Sequence, residues 1–94
     1  MVIALLDMSV KPGRLEDFKA WVAESNKVIS AFEGFVSRRL LQAEDGSLKM
    51  MVEFESDEQF VRMRQSPEHR TVHKQAEEFR DLPSGPVIYR VLAD

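Results

Sequence analysis

The sequence contains no cysteine, which excludes a disulfide framework, a redox-active thiol, an iron–sulfur cluster and a cysteine-ligated zinc site. It has only four glycines, spent at turns and at a helix end, so no glycine-rich phosphate loop follows the first apolar run. No serine or threonine sits in a nucleophile elbow, which argues against serine-type hydrolysis. Long apolar runs are missing too, and nothing approaches the ~20 residues a membrane span needs. The apolar first ten residues lack a basic leader and a small-residue cleavage site, and they run into Lys11-Pro12-Gly13, so they read as a strand and not a signal peptide. An excess of positive charge is also absent: 13 basic residues stand against 16 acidic ones, a net charge of −3. Such a chain has no global field for a polyanion, which speaks against nucleic acid or an anionic membrane as partner. With 94 residues the expectation is a single domain over 1–94, soluble and cytoplasmic.

What is present is a clear alternation of periodicities. Val2 to Val10 is an apolar run closed by Pro12-Gly13, which suits a buried strand. From Arg14 the spacing changes to Leu15, Phe18, Val22, Ser25, Ile29 and Phe32, three and four apart, which predicts an amphipathic helix of about five turns ended by Gly34. Phe35 to Leu41 and Leu48 to Glu55 flank Glu44-Asp45-Gly46-Ser47, and an Asp-Gly pair between extended runs is a hairpin signal. Ser56 with Gln59 three residues on marks a capping box and opens a short helix. Ser66-Pro67 restarts the helix, with serine at the N-cap and proline where its missing N–H costs nothing. That second segment is expected to run to about Arg80, with Val72, Ala76 and Phe79 as its apolar stripe, and Val87 to Leu92 closes the chain as a last strand.

The order β-α-β-β-α-β, with the helix pair as one crossover, is the split βαβ of a ferredoxin-like α+β fold with a four-stranded antiparallel sheet. Right-handed crossovers place the first and third strands at the sheet centre and the helices on one face. The opposite face should then be polar in a lone two-layer domain. Yet the first strand carries Ile3 and Leu5 opposite Val2, Ala4, Leu6 and Met8, and the last has apolar residues on both sides. No segment is left over to cover that surface, so a second copy, packed sheet to sheet as a homodimeric α/β barrel, is the economical expectation. A monomer with an apolar sheet, or a site for another partner, is the alternative.

The histidines are His69 and His73, four apart and therefore on one helix face beside the apolar stripe. As a pair they offer two imidazoles to a divalent metal, but no third ligand is identifiable. Singly, His73 is placed to act as a general base or a heme ligand, and the plain alternative is two partly exposed surface histidines. Trp21 stands beside the main helix stripe, as core or as pocket wall. Of the strand arginines Arg38, Arg39 and Arg90, one of the adjacent pair should face a covered layer and need an acidic or anionic partner, for which Asp7 is the obvious mate. The sharper reading is that Arg38 anchors a carboxylate or phenolate. Strand residues Leu48 to Phe54 lack the aromatic and basic interleaving on which RNA bases stack.

Phe32-Glu33-Gly34-Phe35, the Asp45-Gly46 hairpin, and Phe54-Glu55-Ser56-Asp57-Glu58-Gln59-Phe60 followed by Ser66-Pro67-Glu68-His69 resemble the antibiotic biosynthesis monooxygenase domain, a dimeric α/β-barrel family. The likeness covers nearly the whole chain. It implies a small homodimer that oxidises an aromatic, quinol or polyketide-like substrate without a cofactor, or a non-catalytic module binding a small ligand or heme. For the cofactor-free members it implies an apolar pocket between sheet and helices, with His73 as base or anion donor and Trp21, Phe54, Met63 and Phe79 as walls. His69 and Arg38 complete the substrate-contacting set, with no metal. The heme-degrading members are similar around His73, but they use an asparagine on the first strand and a tryptophan on the short helix. Here the first strand has no asparagine and Met63 stands where that tryptophan would be.

Overall fold

The computed structural model describes all 94 residues. Seven elements follow one another: β1 (Val2–Met8), α1 (Leu15–Ile29), β2 (Phe35–Gln42), β3 (Leu48–Phe54), α2 (Asp57–Arg64), α3 (Pro67–Ala76) and β4 (Val87–Arg90). The strands form one antiparallel sheet in the order β2-β3-β1-β4. This is the ferredoxin-like α+β arrangement, with β1 and β3 central and the helices on one face. No helix is long and apolar enough to cross a membrane.

Local chemistry accounts for the element ends. Ser56 caps α2, its hydroxyl accepting from the Gln59 N–H at 3.2 Å, and Ser66 caps α3 by accepting from the His69 N–H at 3.1 Å. Ser66 also donates to the Met63 carbonyl at 2.6 Å, so one buried hydroxyl closes α2 and opens α3. Gly34 takes φ +87°, a left-handed conformation that side chains with a Cβ resist, and a Cβ there would run into Gln59.

Register divides the sheet into two faces. Val2, Ala4, Leu6, Met50, Val52 and Phe54 pair across β1 and β3 on the helix side, where most are buried. They meet Phe18, Trp21, Val22 and Ile29 of α1, Phe60 and Met63 of α2, and Val72 and Ala76 of α3 in one core. The other face carries Ile3, Leu5, Leu41, Met51, Val87 and Tyr89, with no element of this chain over it.

Three expectations need correction. α1 stops at Ile29 and α3 at Ala76, because the bonds beyond each shift to i→i−3 turns: Phe32 N–H to Ile29 O, and Phe79 N–H to Ala76 O. The segment after α3 is then drawn to the end of β1, with the Lys11 N–H on Phe79 O and the Asp81 N–H on Ser9 O, both at 2.9 Å. Asp7 is not the partner of a strand arginine. It lies on the outer face and pairs with Lys49, its cross-strand neighbour, at 2.8 Å, while Arg38 points to the opposite, helix-covered face. β4 also ends at Arg90, two residues before Leu92, which is almost fully exposed.

Candidate functional site

Between the sheet and the helices lies a cavity of about 70 Å³. Its apolar floor and walls come from β1, β3 and α1, including Leu6, Ile29, Met50 and Val52, with Phe60 and Met63 closing it from α2. Trp21, Arg38, Arg64, His69, His73 and Arg80 supply the polar part of the lining, and no carboxylate takes part. Arg64 is exposed and His69, His73 and Pro86 are half-buried, so the cavity reaches solvent alongside α3.

Helical spacing explains the convergence on one side. His69 and His73 are one turn apart on α3, and their rings stand 5.4 Å apart, centroid to centroid. Burial pushes the His69 pKa down to about 4, and the nearby charges of His73, Arg64, Arg38 and Arg80 add to the effect. His73 is lowered in the same sense, by burial and then by Arg80, with Glu77 opposing and Arg64 and Arg38 adding. Both imidazoles are therefore neutral at pH 7, the state in which a histidine accepts a proton.

Arg38 comes from the other side. Its guanidinium lies 5.1 Å from the Trp21 ring centroid, and Nη1 donates to Ser25 Oγ and to Asn26 Oδ1, each at 2.7 Å. These acceptors are neutral, and burial draws the Arg38 pKa down to about 10, with Arg80 contributing in the same direction. The group stays charged at neutral pH. Arg80 is more deeply placed: it is 4 % exposed, and its Nε and Nη1 are buried without a hydrogen-bond partner, as is Trp21 Nε1.

The structure thus brings Trp21, Arg38, Met63, His69 and His73 to one cavity. It does not bring Phe54 or Phe79 there. Phe54 is fully buried at the end of β3, wedged between Phe35 and Phe60 with ring centroids 5.8 Å from each, so it is core. Phe79 falls beyond the end of α3 and packs under the Arg14 guanidinium at 5.0 Å, away from the cavity. Sequence reasoning missed Arg64 and Arg80. A signal for Arg80 was present, since His69, His73, Ala76 and Arg80 are spaced four, three and four apart, which continues one helix face.

No cluster of three metal-ligating side chains exists, so the histidine pair has no third ligand. The enclosed part of the cavity beside His73 holds about 70 Å³, less than the ~150 Å³ that encloses a benzene, so a heme, like any ring system, would have much of its body in the mouth.

A family model described as antibiotic biosynthesis monooxygenase matches residues 1–75. A search of curated proteins found no match. Among solved structures, a Bordetella bronchiseptica protein classed with the antibiotic biosynthesis monooxygenases superposes with a TM-score of 0.83 at 22% identity, covering 98% of this chain and 97% of its own. SnoaB, a cofactor-independent oxygenase from Streptomyces nogalater, gives a TM-score of 0.83 at 16% identity, with 99% and 94% covered. A Nitrosomonas europaea protein of the same class gives 0.81 at 17% identity, with 97% and 89% covered. At these identities the likeness is one of fold.

Proposed function

Because the chain belongs to the antibiotic biosynthesis monooxygenase family, we propose that its cavity binds an aromatic, quinol or polyketide-like substrate and directs its oxidation by dioxygen without a cofactor. The observation that carries this reading is the composition of the lining: two neutral histidines and three arginines converge on an otherwise apolar space, with no carboxylate among them.

The chemistry follows from those groups. His73 takes the proton of an acidic phenol or quinol as general base. The resulting anion sits in the field of Arg38, Arg64 and Arg80, which are already in position and need no reorganisation when charge develops. Apolar walls exclude water and leave the electron-rich carbon to react with dioxygen. For a phenol or anthrone going to a quinone, one oxygen atom becomes the new carbonyl and the other leaves as water. The substrate supplies the four electrons that reduce dioxygen and the two hydrogens of the water, so no external reductant is needed. Trp21 and Met63 act as walls, and His69 screens the mouth beside His73.

The sheet face opposite the helices supports a homodimer. Leu41, Val87 and Tyr89 are exposed there, 39%, 56% and 51% respectively, beside Ile3, Leu5 and Met51. A second copy packed on that face would bury them.

Oxygen uptake across a panel of hydroquinones and anthrones tests the enzyme reading. Uptake above the blank that falls sharply in His73→Ala supports it, and uptake that never exceeds the blank overturns it. The small cavity favours a second reading, a dimeric module that binds without turnover. A ligand that raises the melting temperature and is recovered unchanged would select that reading.

A further inference from the structure

We propose that the cavity between the sheet and α3 is a carboxylate-binding site, with Arg80 as the anchoring cation and the indole N–H of Trp21 as a second donor. This rests on taking the cavity as the ligand site, and it does not depend on turnover.

The argument starts from unused donors. Arg80 is 4 % exposed, and its Nε and Nη1 find no acceptor in the protein and are closed to solvent, so water does not replace the missing partner. It enters no ion pair. The one carboxylate whose charge reaches it, Glu77, stays beyond ion-pairing distance. A buried guanidinium in this condition is costly to the fold, and so is a buried indole N–H without an acceptor, as at Trp21. Both residues line the same cavity. The orphaned groups there are all donors, and the other charged side chains of the lining, Arg38 and Arg64, are cations.

The backbone holds Arg80 in place. Val10 and Arg80 form an isolated antiparallel bridge, flanked by the bonds from Lys11 to Phe79 and from Asp81 to Ser9. Residues 9–11, just past β1, therefore tie down Arg80, four residues beyond the end of α3, and its side chain is directed under the helix and not to solvent. An unpaired cation kept inside by its own backbone tether is what a binding site for an anion requires.

Shape selects the class of anion. A planar carboxylate accepts two parallel N–H bonds from a guanidinium, one from Nη2 and the other from either Nε or Nη1, and its remaining lone pairs suit a third donor such as an indole. The cavity, about 70 Å³, is roughly half the ~150 Å³ that encloses a benzene. It has room for a carboxylate and the atoms next to it, and the remainder of a larger ligand leaves through the mouth by Arg64, His73 and Pro86. Contact with Nε and Nη1 takes a rearrangement of the Arg80 side chain, since both are closed off in this structure.

The test uses the whole protein with acetate and benzoate as probes, and acetamide, benzamide and inorganic phosphate as controls. Calorimetry should show the carboxylates binding at least about tenfold more tightly than their amides, with Arg80→Gln losing that preference. An independent readout needs no variant: a bound anion offsets the arginine field, so the ring protons of His69 and His73 should titrate at higher pH with benzoate present. Equal binding of benzamide and benzoate, tighter binding of phosphate, or histidine titrations that benzoate leaves unmoved would each overturn the carboxylate assignment. If neutral quinols are still bound or oxidised in that case, the substrate-site reading stands and only the anion inference falls. If neither class binds, both fall.

Discussion

The Arg38 guanidinium lies over the Trp21 ring, 5.1 Å from its centroid, so a β2 side chain and an α1 side chain together line one side of the cavity. Two further α1 residues, Ser25 and Asn26, hold the same guanidinium through Nη1. The arrangement fixes a half-buried cation with neutral acceptors only, which leaves its charge available to a ligand.

Removing that cation is expected to loosen the wall. Arg38→Ala should destabilise the protein by about 1–3 kcal/mol through the lost hydrogen bonds and ring contact. Arg38→Met, which keeps the packing, should recover part of this. Urea unfolding followed by the fluorescence of Trp21, the only tryptophan, measures both, and Arg38→Ala should also shift the native emission to the red.

Arg80 should behave in the opposite way. Since its charge is buried without a partner, Arg80→Met is expected to stabilise the free protein by about 1–3 kcal/mol, while carboxylate binding is lost. A higher melting temperature joined to lost binding would mark a residue kept for its ligand. A lower melting temperature in Arg80→Met would show that the guanidinium stabilises the free protein.

The histidines make stability depend on pH in a defined direction. His69 has its pKa lowered to about 4, so between that value and the ordinary ~6.5 the unfolded chain binds the proton and the native state does not. The stability contribution is complete above pH ~6.5 and is lost as pH falls toward 4. Melting curves from pH 7.5 down to 4.5 should decline less steeply in His69→Gln than in the parent protein. If His73 is the base, the acid limb of kcat/KM should lie below the usual histidine range, because its pKa is lowered as well.

Gly34 and Gly13 both have positive φ, but only at Gly34 would a Cβ meet another side chain, that of Gln59. Gly34→Ala should therefore cost about 2–4 kcal/mol, from backbone strain together with displacement of the Gln59 side chain from Ser56. Gly13→Ala, with open space around it, should cost about 1–2 kcal/mol from strain alone. Paired denaturation curves separate the two.

The proposed dimer is checked by sedimentation. The parent protein should give about twice the chain mass of 10.8 kDa, and Leu5→Glu, which places a charge in the middle of the bare sheet face, should shift it to the monomer. A parent mass of one chain would remove the proposal.

The local elements were legible in the sequence because each is specified by neighbours in the chain. Alternation in Leu48–Phe54 settles which residues share a face, the Asp45-Gly46 pair sets the hairpin, and Ser56 and Ser66 bond N–H groups three residues on. Even the surplus of apolar sheet surface follows from counting residues on two faces of a strand. Helix ends were less legible: α1 and α3 each stop short of the last residue that fits the stripe, because the chain beyond is pulled into turns and, after α3, onto β1.

The cavity lay between these limits. Spacing alone put His69 and His73 on one face, yet it gave Phe54 and Phe79 the same standing as Trp21 and Met63, since an apolar stripe does not show which side chains are sealed by their neighbours. Charge pairing was beyond it altogether. Asp7 found Lys49 through strand register, Arg38 found neutral acceptors on α1, and Arg80, more than seventy residues from Leu6 in the chain, came to line the same space as Leu6. Periodicity and capping act within a turn or a hairpin, so the sequence by itself determined the elements and the faces they bury. Which cations share a cavity, and which of them lack a partner, depends on contacts between distant segments that only the packed fold establishes.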